Sequence, residues 1–147
     1  MTVFRITTAK WSNSLTASGY AARWSSRGNM MIYTAESRSL ACLENLVHRS
    51  GEGSNSLYRI MLIEIPASLK TETIDVSTLK EDWYTIENYN YCQEIGNKWL
   101  SEQRTAVLKV PSVIIKKESN YLINPRHSAF SQIKLSGTEE FDFDKRF

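Results

Sequence analysis

Cysteine is scarce: the chain has 147 residues and two cysteines, Cys42 and Cys92. Two thiols do not make a disulfide framework. Both stand among apolar neighbours in helix-like segments, the pattern of buried free thiols in a reducing compartment. Proline contributes three residues and glycine six, which excludes collagen-like and low-complexity structure. His48 and His127 are isolated, and no HExxH, CxxC or calcium-loop spacing occurs, so the common metal sites are missing. P-loop, GxGxxG and GxSxG patterns are absent too, which removes the usual phosphate cradles and the nucleophile elbow. No charge sign dominates: 18 Lys+Arg face 16 Asp+Glu, a net charge of +2. That is too small to point to nucleic acid or a membrane surface. No apolar run, Ile60 to Ile63 included, comes near the length of a membrane span, and no apolar stretch follows Met1. The expectation is a cytoplasmic protein with no direct nucleic-acid partner and no membrane partner.

Hydrophobic residues make up 41% of the chain and charged residues 23%, with four Trp, seven Tyr and five Phe to fill a core. The length suits a single domain over 1–147. Thr2 to Thr7 alternates as a strand, residues 10 to 20 read as a loop, and Met30 to Tyr33 reads as a short buried strand. Ser37 to Arg49 reads as a helix capped by Ser37 or Thr34 and ended by Gly51, Gly53 and Ser54. Leu57 to Ile65 is the strongest strand, closed by Pro66. Ile74 and Val76 mark another short strand. Asn88 to Gln103 reads as a helix with Gly96 as its weak point. Thr105–Val110, Val113–Ile115, Tyr121–Ile123 and Ile133–Leu135 read as strands, and Phe141 and Phe143 alternate in a closing one. The strands do not alternate with helices. An α+β fold with mainly antiparallel sheets follows, not a doubly wound one.

A few polar residues stand in apolar surroundings. At 100° per residue, Leu40, Leu43, Leu46 and Val47 form one stripe, and Glu44 falls on its margin. Glu44 is then either a partly exposed helix glutamate or a carboxylate held at a cleft edge. Arg23, in Ala21-Ala22-Arg23-Trp24, reads as a surface arginine stacked on an aromatic ring or as a fork for phosphate or carboxylate. Tyr33 reads as a core or rim tyrosine or as a flat face for a planar ligand.

Six motifs occur in order: Arg23-Trp24, Gly28, Ile32-Tyr33-Thr34-Ala35, Leu40 through His48, Val110-Pro111-Ser112, and Asn120 through Pro125 with His127. Together they resemble the RES-domain family over nearly the whole chain. The family is named for an Arg, a Glu and a Ser. The resemblance implies the toxin half of a bacterial toxin–antitoxin pair, with an Xre-type helix-turn-helix antitoxin as partner and a homodimer among the assemblies of that complex. It implies a fold like that of ADP-ribosyltransferase toxins, with two mainly antiparallel sheets and a few helices around an NAD cleft. It also implies destruction of NAD, by hydrolysis or phosphorolysis. The family's Arg falls on Arg23 and its Glu on Glu44. Its Ser falls on Ser112, with Ser128 in reserve. The chain departs from the common pattern at Ala21 and Ala22, where glycine is usual, and at Ser25, where Asn is usual.

The chemistry suits these residues. Cleavage of the nicotinamide–ribose bond passes through an oxocarbenium-like state. Glu44 can hold the ribose 2′-hydroxyl and offset that charge, Arg23 can hold the diphosphate, and Tyr33 can face the nicotinamide ring. Ser112 can anchor the carboxamide or support the site from behind. NAD is then substrate; no cofactor and no metal are expected. Arg27 and Arg38, near Arg23 in sequence, would make the cleft basic. Competing readings are NAD phosphorolysis, ADP-ribose transfer to a protein, RNA cleavage and a non-catalytic interaction module. Many protein ADP-ribosyltransferases carry an acid or Gln two residues before the catalytic Glu, and Cys42 stands there.

Overall fold

Alternation along the first strand sends Phe4 and Ile6 to one side and Val3 to the other, and a sheet grows around it. The computed structural model describes residues 1–48 and 57–147. Its strands are β1 (Thr2–Thr8), β2 (Ile32–Ala35), β3 (Tyr58–Glu64), β4 (Thr71–Thr73), β5 (Val107–Pro111), β6 (Ser119–Ile123) and β7 (Lys134–Phe141), and its α-helices are α1 (Arg38–His48) and α2 (Tyr89–Glu102). Among the described residues the strands form one seven-stranded sheet in the order β4-β5-β6-β2-β1-β3-β7. All of its pairings are antiparallel except β4 with β5.

The mainly antiparallel α+β architecture is as expected, but the two expected sheets are continuous. Their seam is narrow: β1 meets β2 through the single pair Phe4↔Ala35, whereas β1 and β3 pair along their full length. Both helices cover the same face. Leu40 and Ala41 of α1 pack with Ile6, Ala35, Tyr58 and Ile60 on one side of the seam. On the other side Cys92 and Trp99 of α2 pack with Leu108, Val110 and Leu122, and Tyr33 joins them. Tyr33 and Ala35, two residues apart on β2, therefore point between the helices. The opposite face buries Val3, Ile32, Met61, Ile63, Val107 and Ile123.

Several local expectations shift for identifiable reasons. Ser37, not Thr34, caps α1, its Oγ accepting Leu40 N–H at 3.0 Å; Thr34 Oγ1 donates instead to Tyr121 O. The expected stop of α1 at Gly51, Gly53 and Ser54 lies outside the described residues. Val47 is 67% exposed, because the last turn of α1 lies beyond the packed surface that covers Leu40 and Ala41. The short second strand is Ile32–Ala35, two residues later than expected, set by its pairing with β6. No strand forms at 113–115: Ser112 Oγ accepts the amides of Ile114 and Ile115, both at 3.0 Å, and bends the chain into a turn. The strand expected at Ile74 and Val76 lies earlier, at β4. Asp75 accepts Ser77 N–H and opens a 3₁₀ turn there. The strands expected at 133–135 and around Phe141 are one strand, β7, with a register shift opposite Leu62 and Ile63.

Candidate active site

Three elements bring polar groups together over β2. The first is a tight turn, Ala22-Arg23-Trp24-Ser25, closed by Ala22 N–H to Ser25 O at 2.9 Å. It puts Arg23 at a corner with its guanidinium pointing at the entrance to α2. Arg23 Nη1 donates to Thr85 O at 2.9 Å and Trp83 O at 3.3 Å, and Nη2 donates to Tyr84 O at 3.0 Å. The guanidinium also lies 4.5 Å from the centre of the Tyr89 ring, on the first turn of α2. One edge of the fork is therefore spent on main-chain carbonyls, and the guanidinium also faces the Cys92 thiol. Burial pushes the Cys92 thiol up, and the neighbouring Arg23 guanidinium works against that rise.

Tyr33 is the second contribution. Its Oη lies 2.6 Å from Ser25 Oγ and accepts Trp24 N–H at 3.3 Å. Ser25 is fully buried, so the phenol is tied to the same turn that carries Arg23. Burial raises the Tyr33 pKa far above its ordinary 10.0; the bonds from Ser25 and Trp24 oppose this, and the charges of Tyr89 and Glu44 add to it. The phenol stays protonated, and Glu44 lies within its electrostatic reach.

Glu44 comes from α1. Its side chain is 28% exposed, and its carboxylate lies 3.6 Å from Nε2 of His48, one turn on. The expected stripe is not the packed face: of its residues only Leu40 is buried, Ala41 is buried beside it, and Glu44 falls between the two around the helix, about 40° from one and 60° from the other. Arg23, Tyr33 and Glu44 thus converge from a turn, a strand and a helix, with Tyr89 among them.

Ser112 and Ser128 differ sharply. Ser112 is 2% exposed and its Oγ holds the turn after β5. That turn ends at Glu118, whose carboxylate accepts from Ser37, the cap of α1. Ser128 is exposed, beyond the far end of the β5–β6 ladder. Arg38 does not add charge to this patch: it is bidentate to Glu139 at 2.8 and 2.9 Å and stacks on Phe4. Arg27 is exposed.

Tyr89, the three carbonyls at 83–85 and the α2 residues Gln93 and Asn97 were not legible as site components. Their one sequence signal is spacing, since positions 89, 93, 96 and 97 share a helix face. A cavity of about 180 Å³ lies at the other end of α2, lined by Gly28, Met30, Gln103 and Arg126 among others. Its lining holds no carboxylate and none of Arg23, Tyr33 or Glu44, so it is separate from the β2 cluster. Among the described residues no group of three or more His, Cys, Asp or Glu could hold a metal, and no helix is long and apolar enough to cross a membrane.

An α+β fold with an Arg/Tyr/Glu cluster between two helices on one sheet face is the class these observations define. The chain belongs to the RES-domain family, whose model matches residues 2–144. A Prs ADP-ribosylating toxin from Sphingobium sp. is 35% identical over 126 residues, covering 84% of this chain and 78% of that one. A protein named Toxin Res from Yersinia enterocolitica is 35% identical over 132 residues, 88% of this chain and 86% of its own. A Toxin Res from Photorhabdus laumondii is 31% identical over 147 residues, 97% of this chain and 93% of its own. Among solved structures, a chain of the M. tuberculosis MbcT–MbcA toxin–antitoxin complex superposes with a TM-score of 0.73. It covers 96% of this chain and 84% of its own, at 17% identity, and so speaks to fold.

Proposed function

We propose that this chain is the toxin of a bacterial toxin–antitoxin pair and that it cleaves the nicotinamide–ribose bond of NAD. The observation that carries the reading is the convergence of Glu44, Tyr33 and Arg23 on one patch, in a chain of the RES family. Nicotinamide leaves as a neutral base, so the reaction needs little acid. It needs stabilisation of positive charge on the ribose. Glu44 offsets that charge and holds the 2′-hydroxyl. Tyr33, its hydroxyl engaged by Ser25 and Trp24, offers its ring to the nicotinamide. Arg23 turns the edge of its guanidinium that is not bound to carbonyls toward the diphosphate. Ser112 supports the site from behind through the turn that reaches the cap of α1. Water supplies the oxygen that ends on the anomeric carbon, its proton passes to solvent, and the products are nicotinamide and ADP-ribose.

Transfer of ADP-ribose to a protein is the second reading, favoured by the Sphingobium relative's name. Against it, Cys42 is about 200° around α1 from Glu44 and packs against the core beneath the helix, so no second acid joins Glu44 there. The partner is an Xre-type helix-turn-helix antitoxin that covers the cleft, with exposed Arg27 receiving an acidic segment. The test incubates purified protein with NAD and follows nicotinamide, ADP-ribose, labelled protein and, in phosphate buffer, ADP-ribose-1″-phosphate. Nicotinamide with free ADP-ribose is the expected result, and ADP-ribose-1″-phosphate would make the reaction phosphorolysis. Labelled protein would establish transfer, and no nicotinamide release would overturn the reading.

A further inference from the structure

A glycine inside a helix weakens it, and Gly96 sits in the middle of α2. The structure shows what it is for. A Cβ at Gly96 would stand 1.8 Å from the carbonyl oxygen of Trp24 and 2.7 Å from its carbonyl carbon. The main chain of the Arg23 turn therefore lies directly on α2, and glycine alone allows that approach. The flanking residues of the same helix face grip the turn. Gln93 Nε2 donates to Ala22 O at 2.9 Å and Ser25 O at 3.2 Å. Asn97 Oδ1 accepts Ser26 N–H at 3.1 Å while its Nδ2 donates to Ser26 Oγ at 2.9 Å.

We propose that Gln93, Gly96 and Asn97 form a ledge on α2 that positions Arg23 and Tyr33 for the reaction, Gly96 setting the depth of the turn and the two amides its register. This rests on the NAD-cleavage reading above. The ledge touches Ala22, Trp24, Ser25 and Ser26, and leaves Arg23 to reach forward. Ser25 and Trp24 in turn hold the Tyr33 hydroxyl. One helix face thereby fixes both groups against each other, while Glu44 arrives independently on α1. Gln93, Gly96 and Asn97 are positioning residues, since they act through the turn.

The test uses Gly96→Ala, Asn97→Leu and Asn97→Asp, each assayed for nicotinamide release well below its melting temperature. Trp24 and Trp83 supply a second readout: their ring centres are 5.9 Å apart, so their near-ultraviolet circular dichroism reports where the turn sits. In Gly96→Ala the Trp24 carbonyl must retreat by about 1.2 Å to restore a 3.0 Å contact. A misplacement of that size lowers kcat/KM about 100-fold. The Trp signal changes with it, while the helix content stays. Asn97→Leu loses both bonds to Ser26 without a steric push, displaces the turn less, and falls about 10-fold. Asn97→Asp recovers to within about threefold, because its carboxylate accepts both Ser26 N–H and the Ser26 hydroxyl, which turns to donate. A loss that tracked folding alone would leave the constants of the folded protein unchanged, and that result overturns the proposal. So does failure of Asn97→Asp to recover. If the unmodified chain releases no nicotinamide, the NAD reading falls by itself. The Trp signal then decides the ledge, and an unchanged signal in Gly96→Ala overturns it.

Discussion

Glu44→Gln separates chemistry from folding because so little of the fold depends on that carboxylate. Its side chain is 28% exposed, and its ion-pair partner is His48, itself 57% exposed and one helical turn away at 3.6 Å. A pair of that kind contributes about 0.5 kcal/mol or less. Gln keeps the shape of Glu and its helix propensity, so the melting temperature of a chain this size should move by no more than about 2 °C. The effect on rate is different in kind. Gln removes the one negative charge offered to the developing oxocarbenium ion, and loss of a preorganised electrostatic group costs about 3 kcal/mol, or 100- to 1000-fold in kcat. The assay is nicotinamide release under saturating NAD, paired with a thermal melt. A folded Glu44→Gln protein with kcat within threefold of the parent would refute the reasoning, and Glu44 would be a helix-surface glutamate.

Arg23→Ala should raise KM for NAD at least as much as it lowers kcat. It should also destabilise the chain by about 2–4 kcal/mol by chemical denaturation, because three main-chain carbonyls lose a charged donor. Arg23→Lys should not restore stability, since an ammonium cannot span three carbonyls from the edge of a planar fork; full recovery would show that charge alone matters. Tyr33→Phe should cost about 1–3 kcal/mol by stranding the buried Ser25 hydroxyl, with KM little changed because the ring remains. Burial raises the Tyr33 pKa above 10.0, so its contribution to stability is complete below that pH and is lost as pH rises. Relative to Tyr33→Phe, the parent should lose about 1.4 kcal/mol per pH unit above pH 10; parallel denaturation profiles would contradict this. Ser112→Ala should cost about 1–2 kcal/mol by freeing two amides, whereas exposed Ser128→Ala should stay within about 0.5 kcal/mol. Equal effects in the two melts would remove the distinction between these serines.

Much of this protein was present in local pattern. Alternation of two places β1, a nearly continuous apolar run closed by Pro66 places β3, and a period of 3.6 places α1 and α2, because those patterns decide which side chains can share a buried face. Ser37 and Thr34 both read as caps from their positions, of which the fold uses Ser37, and the order of six short motifs carries the RES resemblance.

What local pattern could not hold is anything made by residues far apart in the chain. Arg23 reads as a surface arginine stacked on an aromatic ring or as a fork for a ligand; it does stack on Tyr89, and one edge is bound to carbonyls 60 to 62 residues away. Backbone carbonyls carry no sequence signature, so nothing in the residue types could announce that clamp. Ser112 reads as a ligand-facing hydroxyl or a support, and nothing in its residue type tells that its buried Oγ holds the amides of Ile114 and Ile115. Arg38 reads as part of a basic cleft, until Glu139 on β7 takes it. Gly96 reads as a flaw in α2, and becomes the contact point for Trp24 only once the turn is laid across the helix. The two sheets that the family resemblance implies become one because Phe4 and Ala35 pair across the seam. A sequence determines periodicity, caps and breakers because these depend on neighbours within a turn or a strand. Pair contacts, burial of polar groups and the division of an arginine's donors depend on which distant segments folding brings into reach, and only the tertiary structure decides those.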